Sequence, residues 1–146
     1  IYCLMFWQKN QCRFAVSRTN SLLFARFIEF GYPAFMTEPT LFHKIVSGEI
    51  PCDKVYETDE VLGFKDIHPK APTHILFIAK KEEHFVPSIM DITDETHHVT
   101  CMLIRAAREF ASKQGIEGYK LSFNCGAKGG QEVFYLHLHF MSQESL

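Results

Sequence analysis

No Cys-x-x-Cys pair occurs in this chain, and no apolar run approaches the roughly 20 residues needed to cross a bilayer. Neither sign of charge dominates: 15 Lys and Arg face 17 Asp and Glu, a formal net charge of −2. There is no internal repeat and no low-complexity segment. Each absence narrows the field. The cysteines Cys3, Cys12, Cys52, Cys101 and Cys125 are odd in number and scattered, which argues against a disulfide framework and a structural zinc site and makes a reducing compartment the simplest setting. Without a global basic field, nucleic acid is not an expected partner, and neither is a membrane. What remains is 146 residues, 47% hydrophobic and 22% charged. That composition suits one globular domain with a substantial core.

Residues 1–35 differ in character from residues 36–146. They hold Lys9, Arg13, Arg18 and Arg26 against the single acid Glu29, with many aromatics and the polar residues Ser17, Thr19, Asn20 and Ser21. Met36 opens the remainder. Three origins fit this N-terminal extension: translation from upstream of the true start, an expression scar, or a mitochondrial-type presequence, which is basic, serine-containing and poor in acids. The first two are preferred and give a cytoplasmic protein; a genuine presequence gives a mitochondrial one. A secretory signal fits poorly, because arginines interrupt the apolar stretches. The segment is expected to add little to the core, and residues 36–146 suffice for a small domain.

Within 36–146, Thr40 is placed to cap a short helix over 41–47, with Leu41, Phe42 and Ile45 as its apolar stripe and Gly48 as its stop. Residues 55–56 and 61–67 read as strands about a Thr58-Asp59-Glu60 turn. Pro69 and Pro72 mark a loop, and 74–79 is apolar enough for a central strand. Residues 80–83 are charged and expected at the surface; 85–92 reads as loop with one helical turn. Thr93, followed by Asp94 and Glu95, reads as the cap of a long helix running to about Gln114. Val99, Met102, Leu103, Ala106, Ala107 and Phe110 mark its buried face, and Gly115 ends it. Strands at 119–125 and 133–141 complete the order. One short helix, three strands, one long helix and two strands predict an α+β fold: an antiparallel sheet of about five strands with the helices on one side.

The chemistry concentrates at residues 129–141, Gly-Gly-Gln-Glu-Val-Phe-Tyr-Leu-His-Leu-His-Phe-Met. In a strand, alternation puts Phe134, Leu136, Leu138 and Phe140 on one face and Tyr135, His137 and His139 on the other, pointing outward. Residues two apart lie roughly 6.5–7 Å from each other, so both imidazoles are within reach of one phosphate-sized group. Gly129 and Gly130 allow backbone N–H groups to approach an anion closely. The plain alternative is a half-buried strand with two exposed histidines. Zinc fits less well, because two imidazoles on one strand face leave half a tetrahedral shell empty. His43, His68, His84, His97 and His98 have no comparable setting and read as surface residues; adjacent on a helix, His97 and His98 point apart.

This stretch resembles the signature of the histidine triad (HIT) hydrolases, His-x-His-x-His with apolar residues between. Thr40-Leu-Phe-His-Lys-Ile, Gly48-Glu-Ile-Pro, Phe64-Lys-Asp-Ile, Pro69-Lys-Ala-Pro-Thr-His-Ile-Leu, Gly118-Tyr-Lys-Leu and Asn124 extend the likeness, specifically to the Hint branch, in one register from Met36 to about Met141. One position departs: the first place of the triad holds Tyr135. The end departs as well, since Ser142-Gln-Glu-Ser-Leu stands where Hint proteins usually continue with Gly-Gly and a tail that shapes the site and the dimer.

The resemblance implies a HIT fold whose subunits pair into one continuous sheet as a homodimer, a purine nucleotide as small-molecule partner, and neither metal nor other cofactor. It makes His137 the nucleophile, His139 the group that contacts phosphate and helps the leaving group depart, and His74 a support from the neighbouring strand. The chemistry is sound: an imidazole of ordinary pKa about 6.5 keeps a free lone pair near neutrality, and a covalent intermediate splits one hard displacement into two. The acceptor that orients the nucleophile is the backbone carbonyl of residue 135, which any side chain keeps, so Tyr135 is expected to weaken the site without abolishing it. Leu41, Phe42, Ile45, Phe64 and Ile67 match positions that sandwich the base; taken alone they read as core. Asp66 matches the carboxylate that accepts the ribose hydroxyls; taken alone it is a turn-capping acid. Asn124, Gly130, Gln131 and Glu132 match the phosphate side, with the Glu132 amide rather than its carboxylate making contact. The expected activity is cleavage of the P–N bond of adenosine (purine nucleoside) 5′-phosphoramidates through a nucleotidyl-histidine. The alternatives are an AMP-binding or scaffolding HIT protein with weak or no catalysis, and a dinucleoside polyphosphate hydrolase.

Overall fold

The structure is a computed structural model and describes residues 39–146; the expectations for residues 1–35 lie outside the described residues. A short helix, α1 (Leu41–Val46), precedes three strands, β1 (Lys54–Glu57), β2 (Val61–Lys65) and β3 (Thr73–Ala79). A long helix, α2 (His98–Gln114), follows, and then β4 (Lys120–Ser122) and β5 (His137–Ser142). The strands form one sheet in the order β1-β2-β3-β5-β4, every neighbour antiparallel. The α+β architecture with five strands, one long and one short helix is therefore the observed one.

β3 is buried at all seven positions because both faces of the sheet are covered. Ile75, Phe77 and Ala79 join Leu138 and Phe140 of β5 and Val99, Met102, Leu103, Ala106, Ala107 and Phe110 of α2 in one apolar cluster. Leu76 and Ile78 point the other way and pack with Phe42 and Ile45 of α1, Leu62 and Phe64 of β2, and Tyr135. The two helices thus lie on opposite faces, not on one. The order of elements cannot distinguish these layouts; what decides is that β3 is apolar on both of its alternating faces, so each needs a cover. Gly63 keeps β2 close to its neighbours: a Cβ there would stand 2.8 Å from the Phe77 ring and 3.0 Å from Cβ of Tyr56.

Several element boundaries differ from expectation: β2 ends at Lys65 rather than at residue 67, and β4 spans only Lys120–Ser122 of the expected 119–125. Thr93 does not cap the long helix. Residues 93–97 form a separate turn in which the His97 amide donates to the Thr93 carbonyl, and α2 begins at His98. Its end is as expected, at Gly115 in the left-handed region with φ 69°. The fifth strand begins at His137 rather than at residue 133. Residues 133–136 are held by irregular bonds instead: Tyr135 N–H donates to the Val133 carbonyl, and Leu136 N–H donates to the Val86 carbonyl at 2.7 Å. Phe134 accordingly stands outside the main apolar cluster that Leu136, Leu138 and Phe140 join.

Candidate active site

β5 places His137 and His139 on the α1 side of the sheet. His139 pairs across the ladder with Leu76 and His137 with Ile78, and paired residues share a face. His74 pairs with Met141, so it is the diagonal neighbour of His139 on that face. The expected outward, solvated imidazoles are in fact buried: His137 is 7% exposed and His139 8%. The cover is α1, whose Phe42 ring sits edge-on to His137 with centroids 5.2 Å apart. The His137 and His139 rings themselves converge to 4.9 Å.

Hydrogen-bond partners assign the tautomers. Nδ1 of His137 lies 2.6 Å from the Tyr135 carbonyl. A carbonyl only accepts, so this nitrogen carries the proton and Nε2 is left with a free lone pair. On the neighbouring strand the Lys70 amide donates to Nδ1 of His74 at 3.2 Å. An amide only donates, so neutral His74 carries its proton on Nε2, which donates to Nδ1 of His139 at 2.9 Å. His139 in turn carries its proton on Nε2. That atom is buried and without a protein partner, an unusual state for a donor, since an unpaired buried polar group costs about 1–3 kcal/mol. The two rings thus offer one lone pair and one unused N–H side by side.

Burial lowers the pKa of all three histidines. For His137, desolvation outweighs the opposing effects of the Tyr135 carbonyl and Asp66. For His139, desolvation, with the neighbouring His137 and His74, brings the value down to about 4. For His74, desolvation prevails over the Asp66 carboxylate. All three rings are therefore neutral at pH 7, the state in which a nucleophile has its lone pair.

Asp66 and His74 come together, with Oδ2 3.5 Å from Nδ1, while the other Asp66 oxygen accepts the His68 amide at 2.8 Å. Asp66, His74 and His139 also present donor atoms all within 4.8 Å of one another, the one such trio among the described residues. The 2.9 Å between the two ring nitrogens decides their use. Two nitrogens on one tetrahedral zinc would stand about 3.3 Å apart, so this spacing fits a shared proton better than a shared ion.

The positions matched to the base divide. Phe42, Ile45 and Phe64 are buried together, the two phenylalanine rings 5.6 Å apart; Leu41 and Ile67 are 42% and 82% exposed. On the phosphate side, Gly130 takes a left-handed φ of 83°, which a side chain would strain, and Asn124 donates to its carbonyl at 3.0 Å. Glu132 is exposed. Gln131 is buried, and its side chain is committed to the loop itself, accepting from the Gly126 amide and donating to the Pro87 and Val133 carbonyls.

Two histidines read as surface residues are half-buried: His84, its side chain 13% exposed and its ring 5.1 Å from that of His98, and, closer to the site, His43. His43 packs against the Tyr135 ring at 4.7 Å and Phe85 at 4.8 Å, and its Nδ1 accepts the Thr40 amide at 3.1 Å. The signal was its place three residues after a helix cap, from which a side chain reaches back to the cap's amide.

Comparison with known proteins assigns the class. The family model described as scavenger mRNA decapping enzyme C-terminal binding matches residues 39–146. The chain belongs to the histidine triad (HIT) family. Among its relatives, the purine nucleoside phosphoramidase of Escherichia coli (strain K12) is 40% identical over 113 residues, covering 76% of this chain and 92% of its own. Two solved structures are similar: a HIT family hydrolase from Legionella pneumophila, 38% identical with TM-score 0.67, over 73% of this chain and 95% of that one; and a histidine triad protein from Clostridium difficile, 40% identical with TM-score 0.66, over 73% and 91%.

Proposed function

We propose that the protein cleaves the P–N bond of purine nucleoside 5′-phosphoramidates through a nucleotidyl-histidine. One observation carries this reading: the Tyr135 carbonyl holds the proton of His137 on Nδ1 and so frees Nε2, beside the unpaired N–H of His139. In the first step Nε2 of His137 attacks phosphorus and the P–N bond breaks as the departing nitrogen takes up a proton from solvent, Nε2–H of His139 donating a hydrogen bond to it. In the second step water attacks the phosphorus and loses its proton to solvent, and the P–N bond to His137 breaks to release the nucleoside monophosphate. His74, fixed by the Lys70 amide, keeps His139 in the tautomer that can donate. Exposed Leu41 and Ile67 would cover the base, and Asp66 would accept the ribose hydroxyls. The 40% identity to an enzyme named for this activity supports the substrate class.

A second reading is a nucleotide-binding protein with little catalysis. It is favoured by the Tyr135 hydroxyl, which is spent on the Ala79 carbonyl at 2.6 Å and so offers phosphate nothing. The test is steady-state turnover of adenosine 5′-phosphoramidate by the wild type and His137→Ala. The proposal expects a loss of about 10³-fold or more in the variant, the scale of removing a nucleophile. Equal turnover by both would remove it, and AMP binding by calorimetry without turnover would favour the second reading.

A further inference from the structure

Tyr135 stands where the resemblance leads one to expect a histidine, and its hydrogen bonds give it a use of its own. The side chain is 3% exposed. Its hydroxyl donates to the carbonyl of Ala79, the last residue of β3, at 2.6 Å. Its ring is wedged among Phe42, His43 and Phe85, at centroid distances of 6.0, 4.7 and 5.1 Å. Its backbone is tied as well, by its own amide to Val133 and by the next amide to Val86. Residues 133–136 lie outside the ladder of β5, so no sheet hydrogen bonds of that strand hold the Tyr135 peptide in place. Yet this peptide supplies the carbonyl that accepts Nδ1–H of His137.

We propose that Tyr135 is a positioning residue for His137: by bonding the end of β3, its hydroxyl fixes the carbonyl that holds the nucleophile's tautomer and ring orientation. The consequence for turnover rests on the phosphoramidase reading; the consequence for the ring does not. A hydroxyl carried on a six-membered ring reaches across to β3, and the bond replaces the ladder contacts that the irregular segment lacks. The substitution is then an alternative support rather than a defect. The remaining ionisable neighbours of His137 are His139 on its own strand and Asp66 beyond β2. Neither is altered by removing one phenolic oxygen.

The experiment compares wild type, Tyr135→Phe and Tyr56→Phe. Tyr56 makes a similar bond, to Glu109 at 2.8 Å, in the cluster under α2, so its variant controls for a lost hydroxyl as such. Nitrogen-15 spectra of the histidine rings report the His137 tautomer without any substrate. In Tyr135→Phe the His137 Nδ1–H signal should broaden or shift towards tautomer exchange, while Tyr56→Phe leaves it unchanged. Turnover of adenosine 5′-phosphoramidate should lose roughly tenfold in kcat with KM unchanged, a modest misplacement by the standard of misaligned active sites. The acid limb of kcat/KM should move to lower pH, because the carbonyl bond favours the protonated ring. A Tyr135→Phe protein with a wild-type His137 signal overturns the proposal whatever its activity. A perturbed signal in a protein whose wild type turns over nothing supports the positioning role and removes the phosphoramidase reading instead.

Discussion

Three buried, neutral histidines have a thermodynamic consequence at the scale of single residues. His74, His137 and His139, together with His43, all have pKa values lowered chiefly by desolvation. In the unfolded chain each returns to the ordinary value of about 6.5. Below that pH the unfolded state binds protons that the folded state refuses, so stability falls as the solution is acidified. For His139 the window extends down to about 4. Glu57, its pKa lowered by Lys80 and Lys54, adds its own loss as the pH falls through the ordinary carboxylate value, and Glu82, raised by burial, works against that loss. The urea midpoint should therefore be clearly lower at about pH 5 than at about pH 7.5; an equal or higher midpoint would contradict the buried, neutral assignment. The sequence made the residues of this site visible but not their surroundings. A period of two cannot say that the second face of β5 is also dry, which is why His137 and His139 read as outward-pointing. Nor can it say that Gln131 spends its side chain on its own loop.

Elements were legible where one physical signal dominated. The six apolar positions expected for the long helix are all buried in α2, because helical periodicity survives any topology. Thr58 to Glu60 turns as expected, the Val61 amide donating to the Thr58 hydroxyl at 3.0 Å. Boundaries failed where tertiary bonds overrode local pattern: the apolar alternation of residues 133–136 suits a strand, but the carbonyls of Val133 and Val86 claim the Tyr135 and Leu136 amides first. Gly63 shows the same limit. In sequence it is a weak residue in a strand, whereas its place against Phe77 makes it a steric requirement of the β2–β3 contact. Gly63→Ala should cost about 1–3 kcal/mol by overpacking, read as a lowered denaturant midpoint with the slope unchanged; a neutral result would mean that the Phe77 ring gives way freely.

Across the whole molecule, the sheet divides two tasks between its faces. The α2 side carries the larger of the two apolar clusters. The α1 side shares a smaller cluster with the buried imidazoles, so the site is built onto a surface already fixed by packing. This layout is that of the HIT family to which the chain belongs. In the proposed mechanism His137 carries the nucleotide between the two half-reactions. Rapid quenching at neutral to alkaline pH during turnover of adenosine 5′-phosphoramidate, followed by peptide mass spectrometry, tests it most directly. An AMP-sized adduct on His137, absent from His137→Ala, is the expected result. Turnover with no adduct, or with an adduct on any other residue, would contradict it.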